Sequence, residues 1–229
     1  CATHGARLAD AGMAAVVVAG TTGEAAHLTP PERIELLEAV RAAVSSAVPV
    51  IAGTGAPSIR GAVDLTGDAI AHGADGVLVL SPPNAGDTVP YYEAVVDAAG
   101  DVPVLAYHYP EVSPPGIGLD DLVRLPVAGC KDSSGDPDRL LAELDAWDKP
   151  VYTGSSAMLS LAGPMGAQGA ILGLANLEPE LCARAFAGDM QAQRDLVAPH
   201  LATRERFPAA LKEVVSAKFA TPVPTRAAT

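Results

Sequence analysis

Seven short apolar runs recur along the chain, each followed by a stretch in which apolar residues return at helical spacing. The runs are residues 14–19 (AAVVVA), 48–52 (VPVIA), 76–80 (GVLVL), 102–107 (VPVLAY), 127–130 (VAGC), 150–153 (PVYT) and 169–172 (GAIL). Most are nearly continuous rather than alternating, the pattern of parallel strands covered on both faces. Residues 31–44 place Ile34, Leu37, Val40 and Val44 on one stripe, with Glu32, Glu35, Glu38 and Arg41 largely opposite. Thr29, followed by two prolines and Glu32, has the form of a capped helix start. The same reasoning predicts helices over 59–71, 89–98, 136–147 and 156–165, and two or three more within 179–219.

The order is a helix followed by seven strand–helix units. Every strand-to-strand interval is long enough for a crossover helix, which makes the strands parallel. Right-handed crossovers then leave an open doubly wound sheet or a closed barrel. The chain opens on Cys1 within a helical stretch, so one further strand is expected ahead of it. Eight strands favour the barrel. The expected fold class is α/β, a (β/α)8 TIM barrel with C-terminal helices, its first strand missing from this chain. Residues 1–200 are expected to form that barrel and 201–229 a helical tail packed on it. A length of 229 residues suits one such domain.

Composition narrows the partners. Hydrophobic residues make up 49% of the chain, enough to supply a core. The formal net charge of -12 makes neither nucleic acid nor an anionic membrane surface an expected partner. No apolar run reaches the roughly 18 residues of a membrane helix, and no signal-peptide pattern opens the chain. Cys1, Cys130 and Cys182 fit neither a disulfide framework nor a zinc site, and a reducing cytoplasm is the expected compartment. The histidines are scattered, with no HExxH string, so no metal is expected. No glycine-rich dinucleotide or phosphate loop opens a helix.

A barrel builds its active site at the C-terminal ends of its strands. Here those ends carry abrupt polar groups: Gly20-Thr21-Thr22-Gly23-Glu24, Gly53-Thr54-Gly55, Tyr107-His108-Tyr109-Pro110, Lys131-Asp132-Ser133-Ser134 and Gly154-Ser155-Ser156. Lys131 directly follows an apolar strand, whereas Lys149, Lys212 and Lys218 sit in polar or helical contexts and read as solvated surface residues. Position alone leaves two roles open for Lys131. An amine desolvated at a barrel mouth loses its proton more readily and attacks carbonyls; the other role is a structural cation paired with Asp132 or Asp136. Tyr107 ends the preceding strand, either as a proton shuttle or as a buried aromatic with a satisfied hydroxyl. The Thr21–Thr22 turn offers hydroxyls and backbone N–H groups suited to a carboxylate, or is an ordinary strand–helix turn.

Taken together, these blocks resemble the dihydrodipicolinate synthase/N-acetylneuraminate lyase family of class I, pyruvate-dependent aldolases. The matching blocks run in order from Gly20–Glu24 through Val50–Gly55 and Tyr107–Pro110 to Gly129–Asp136, with Gly166–Asn176 also fitting. The resemblance implies that Lys131 forms a Schiff base with a 2-oxo acid, that Tyr107 shuttles the proton, and that Thr21 and Thr22 hold the pyruvate carboxylate. It implies that Ile171 lines the site, and that no metal or dissociable cofactor takes part. It further implies a homodimer or homotetramer acting on pyruvate and an aldehyde.

The departures concern specificity. The synthase branch has an arginine where this chain has Glu111-Val112-Ser113, and a second relay tyrosine where it has Pro82-Pro83-Asn84. Gly154-Ser155-Ser156-Ala157 stands where the sialic acid lyase branch has acidic residues. The expected activity is therefore aldol cleavage or condensation on a 2-oxo-4-hydroxy acid, with Ser155 and His108 as candidate contacts to the aldehyde. Dihydrodipicolinate synthesis or a related dehydration is the alternative. A non-catalytic sensor of 2-oxo acids is the reading from another class, and turnover separates it from both.

Overall fold

A computed structural model describes residues 1–222 and 225–226. Seven strands form one parallel sheet in sequential order: β1 (Val16–Val18), β2 (Val50–Gly53), β3 (Gly76–Leu80), β4 (Val104–His108), β5 (Gly129–Asp132), β6 (Val151–Thr153) and β7 (Gly169–Ala170). Helices join them: α1 (Ala2–Asp10) precedes β1, and α2 (Pro30–Ala43), α3 (Ile59–Ala71), α4 (Val89–Ala99), α5 (Leu119–Leu122), α6 (Pro137–Ala146) and α7 (Leu159–Ala162) follow successive strands. A parallel α/β sheet with one helix after each strand is the TIM-barrel-like arrangement.

All seven expected strands are present, most of them shortened. The runs at 48–52 and 102–107 enter the sheet only after Pro49 and Pro103. Each of these prolines lacks an N–H and contributes a carbonyl alone, accepting from Val16 and Val77. The expected cap of α2 is present, with the Glu32 carboxylate accepting the Thr29 N–H at 2.8 Å and its hydroxyl at 2.9 Å. Asp136 caps α6 by accepting from the N–H groups of Asp138 and Arg139 at 2.9 and 3.4 Å.

The C-terminal region departs from expectation. It holds four helices rather than two or three: α8 (Pro179–Phe186), α9 (Met190–Asp195), α10 (Val197–Arg204) and α11 (Ala209–Phe219). Gly188, at φ +95°, turns the chain between α8 and α9. α10 runs unbroken across position 200.

The main core lies between the sheet and its helices, where Leu37, Tyr92, Val95 and Leu140 are fully buried against β-strand side chains such as Val50 and Val77. Each contributes about 1.5–3 kcal/mol of apolar burial. A second cluster, including Leu159, Leu174, Leu196 and Leu211, fastens α8 to α11 to the β6–β7 side of the sheet. This places α10 and the start of α11 beside the strand ends. Among the described residues no helix is long and apolar enough to cross a membrane.

Candidate active site

The C-terminal strand ends open into a cavity of about 870 Å³. Strand alternation decides which side chains reach it. On β5, Cys130 and Asp132 are buried towards the helices while Lys131 lines the cavity. On β4, Tyr107 pairs in register with Lys131, and the Lys131 Nζ lies 4.0 Å from the centre of the Tyr107 ring. The Tyr107 hydroxyl accepts from Thr21 Oγ1 at 3.4 Å. Three of the expected residues, drawn from β4, β5 and the turn after β1, thus meet at one point.

The supporting geometry is close. The Tyr92 hydroxyl donates to the Val79 carbonyl at 2.9 Å and approaches the Tyr107 N–H at 3.5 Å, bracing the base of Tyr107. Gly154 is required where it stands. A Cβ there would run into Ser133 Oγ and lie 3.0 Å from Lys131 Cε, so only glycine lets the β6 loop pass over the lysine stem. Ser155 lines the cavity beyond it, its hydroxyl accepting the Ala157 N–H at 3.4 Å. Ile171 also lines the cavity, held by its N–H on the Thr153 carbonyl at 2.9 Å. Thr22 completes the wall beside Gly173, where an added Cβ would sit 3.2 Å from Thr22 Oγ1.

His108 is corrected. As the next residue along β4 it points to the opposite face from Tyr107, is buried, and is absent from the cavity wall. Its Nδ1 accepts the Ile117 N–H at 2.9 Å and its Nε2 stands 4.0 Å from Asp132 Oδ1. Burial, with Arg139 adding to it, lowers its pKa to about 4. It is buried and lies off the cavity wall on which it was expected.

The three lysines expected on the surface are also engaged. Lys149 Nζ donates to the carbonyls of Leu125 and Val127 at 2.8 and 3.0 Å. Lys218 Nζ donates to the Leu177 carbonyl and to Glu178 at 2.9 and 2.8 Å. Lys212, on α11, pairs with Glu24, which is buried at the end of the Thr21–Thr22 turn. Glu24 also accepts the Arg226 N–H at 3.1 Å.

Sequence reasoning missed the contribution of α10, which brings His200 and Arg204 to the cavity from a remote part of the chain. No local signal marks either residue. Arg204 stands 3.8 Å from Glu111, both more than half exposed, so a guanidinium is present at the mouth although position 112 is valine. Tyr109 stacks on Tyr107, with ring centres 5.8 Å apart and planes inclined by 25°. Burial raises the Tyr109 pKa, with Tyr107 and Glu111 adding to the shift.

Lys131 and Tyr107 thus stand side by side at the C-terminal edge of a sequential parallel α/β sheet. Comparison with known proteins gives the class. Residues 6–225 match the Dihydrodipicolinate synthetase family. The chain is 36% identical over 219 residues to an uncharacterized DapA-like lyase of Halobacterium salinarum, covering 92% of this chain and 72% of that one. It is 34% identical to an L-threo-3-deoxy-hexylosonate aldolase of Hypocrea jecorina, covering 84% and 69%. A dihydrodipicolinate synthase of Acinetobacter baumannii, solved with pyruvate, superimposes with a TM-score of 0.83 at 29% identity, covering 93% and 81%. The chain belongs to the dihydrodipicolinate synthetase family, and it is a carbon–carbon lyase.

Proposed function

We propose that Lys131 forms an imine with C2 of a 2-oxo acid and that the enzyme cleaves, or reversibly condenses, pyruvate with an aldehyde. The observation that carries this reading is the convergence of Lys131, Tyr107 and Thr21 in one cavity. In the cleavage direction the Lys131 amine attacks the C2 carbonyl, and Tyr107 gives its proton to the departing hydroxyl, which leaves as water from the protonated imine. The Tyr107 phenolate then takes the proton of the C4 hydroxyl, the C3–C4 bond breaks, and its electron pair flows into the iminium to give an enamine. The aldehyde departs, Tyr107 returns that proton to C3, and water, giving a proton back to the phenolate as it adds to C2, releases pyruvate and the free lysine. The hydroxyls and turn N–H groups of Thr21 and Thr22 hold the C1 carboxylate, while Ile171 and Ser155 shape the wall. The protonated imine is the electron sink, so the scheme uses no cofactor.

Closure of the sheet into a (β/α)8 barrel by an eighth strand between β7 and β1 belongs to the same reading. So do the division at 200, a homodimer or homotetramer, and a cytoplasmic location.

The test is borohydride reduction in the presence of pyruvate. A reduced pyruvyl adduct is expected on Lys131, and Lys131→Ala is expected to lose both label and turnover. A label on another lysine, or none in active protein, overturns the mechanism. Synthase activity is the second reading, kept in view by the synthase fold match. With Val112 where the synthase branch has an arginine, and Arg204 in an exposed 3.8 Å pair with Glu111, aspartate semialdehyde is expected to be the poorer co-substrate. A tenfold preference for it, about 1.4 kcal/mol of transition-state binding, would establish the synthase instead.

A further inference from the structure

A directed chain of hydrogen bonds reaches the cavity wall from residues that do not line it. Arg7 Nη1 lies 3.1 Å from His4 Nδ1, His4 Nε2 lies 3.1 Å from Asn176 Oδ1, and Asn176 Nδ2 donates to the Gly173 carbonyl at 2.9 Å. The two ends fix every direction between them. A guanidinium only donates, so Nδ1 accepts and the ring proton of the neutral imidazole is on Nε2. At the other end a carbonyl only accepts, so Asn176 turns its NH2 to Gly173 and its oxygen to His4, which then donates. Each end separately requires the same His4 tautomer. Burial lowers the His4 pKa, the bond to Asn176 partly offsets this, and Arg7 lowers it further, so the neutral form is favoured.

The chain links the two ends of the sheet. His4 is on α1, which leads into β1, and Asn176 closes the short 3-10 helix Leu174–Asn176 that follows β7. β1 and β7 are the first and last strands in the sheet order, and among the described residues no ladder joins them. The link terminates at the site. Gly173 lines the cavity and is wedged in place: an added Cβ would stand 3.0 Å from Phe207 Cε2, 3.2 Å from Thr22 Oγ1 and 3.3 Å from Leu211 Cδ2. Its carbonyl takes a second bond, from the Asn176 N–H at 3.1 Å. Any shift of Gly173 is therefore passed to Thr22 at contact distance.

We infer that His4 is a positioning residue, which through Asn176 holds Gly173 against Thr22 and so sets the shape of the turn that grips the substrate carboxylate. This rests on the imine at Lys131 and the carboxylate at the turn after β1, both proposed above. Loss of the chain removes the backing of Thr22 while Lys131 and Tyr107, paired across β5 and β4, keep their places. The hold on pyruvate weakens, and the capacity to form the imine does not.

The test reads borohydride labelling of Lys131 against pyruvate concentration in the wild type, His4→Ala, Asn176→Ala, the double variant and His4→Gln. The half-saturating concentration reports the hold on pyruvate, and the plateau reports the fraction of sites able to form the imine. We expect each single alanine variant to raise the half-saturating concentration about fivefold, within the range for one lost hydrogen bond, with the plateau unchanged. The double variant is expected to be no weaker than the weaker single one, because both act through one chain. His4→Gln, whose amide can accept from Arg7 and donate to Asn176, is expected to stay within about twofold of the wild type. Unshifted half-saturation in the alanine variants, even with lower urea midpoints, would make the chain purely structural and overturn the inference. So would a double variant showing the product of the two single effects, or a His4→Gln variant as weak as His4→Ala. No label in active wild type refutes the imine, and the inference falls with it; label in the wild type with unshifted variants refutes the inference alone. Should Asn176→Ala not fold, His4→Ala against His4→Gln carries the same comparison.

Discussion

Tyr107 and Lys131 are direct neighbours across β4 and β5, and the lysine amine sits 4.0 Å from the centre of the tyrosine ring. The ring packs against the amine while its hydroxyl is bonded to Thr21 Oγ1. One side chain therefore packs against the amine proposed to form the imine and carries an oxygen able to move a proton in the same cavity.

Those two roles can be separated. Tyr107→Phe keeps the ring and removes only the hydroxyl, so the packing against Lys131 persists. Turnover is expected to fall by a factor of order 10² to 10⁴, the range for a positioned proton-transfer group. Trapping of pyruvate on Lys131 is expected to survive at long incubation. Steady-state kinetics with a trapping time course checks both, and near-normal turnover would assign the proton to another group or to water.

The pH dependence of stability has a contributor outside the cavity. His108 is folded neutral, its pKa lowered to about 4 by burial and by Arg139, against an ordinary value near 6.5. Between those values the unfolded chain binds the extra proton, so stability falls as pH drops from about 6.5 towards 4. Glu143 acts with the opposite sign. Burial, with Asp132 adding to it, raises its pKa to about 7, so its contribution is lost as pH rises from its unfolded value through about 7. Urea unfolding at steps across pH 4–8 is the measurement. Replacing His108 by Asn is expected to flatten the acid limb by up to one proton, and an unchanged slope would exclude His108 as its source.

The sheet was legible in the sequence because parallel strands buried on both faces leave continuous apolar runs, and residues 76–80 form a strand over their full extent. Lys131, Tyr107 and the Thr21–Thr22 turn were legible because polar groups directly after such runs fall at one edge of the sheet. His108 was misplaced because adjacency in sequence reverses direction on a strand; Tyr107 and His108 could not both face the cavity. His200, Arg204 and Lys212 carried no signal at all. Each sits on an ordinary helix, and only the packing of α10 and α11 beside the strand ends brings it to the site.

Lys212 offers the sharpest test of that packing. Its ammonium pairs with Glu24, whose side chain is only 2% exposed and lies two residues beyond Thr22. A buried carboxylate so near the turn proposed to hold a substrate carboxylate would repel it unless a cation stands by. Lys212→Met removes that cation. It is expected to raise the KM for pyruvate about tenfold with a smaller change in kcat, and to lower stability by about 3 kcal/mol, the size seen when one partner of a buried pair is removed. Glu24→Gln combined with Lys212→Met removes both charges, and should recover most of the loss in KM and stability. Lys212→Arg should stay near wild type in KM. The double-mutant cycle in KM and in urea unfolding distinguishes electrostatics from simple packing. If the double variant is as impaired as the sum of the single ones, Lys212 supports the site by packing and the charge argument fails.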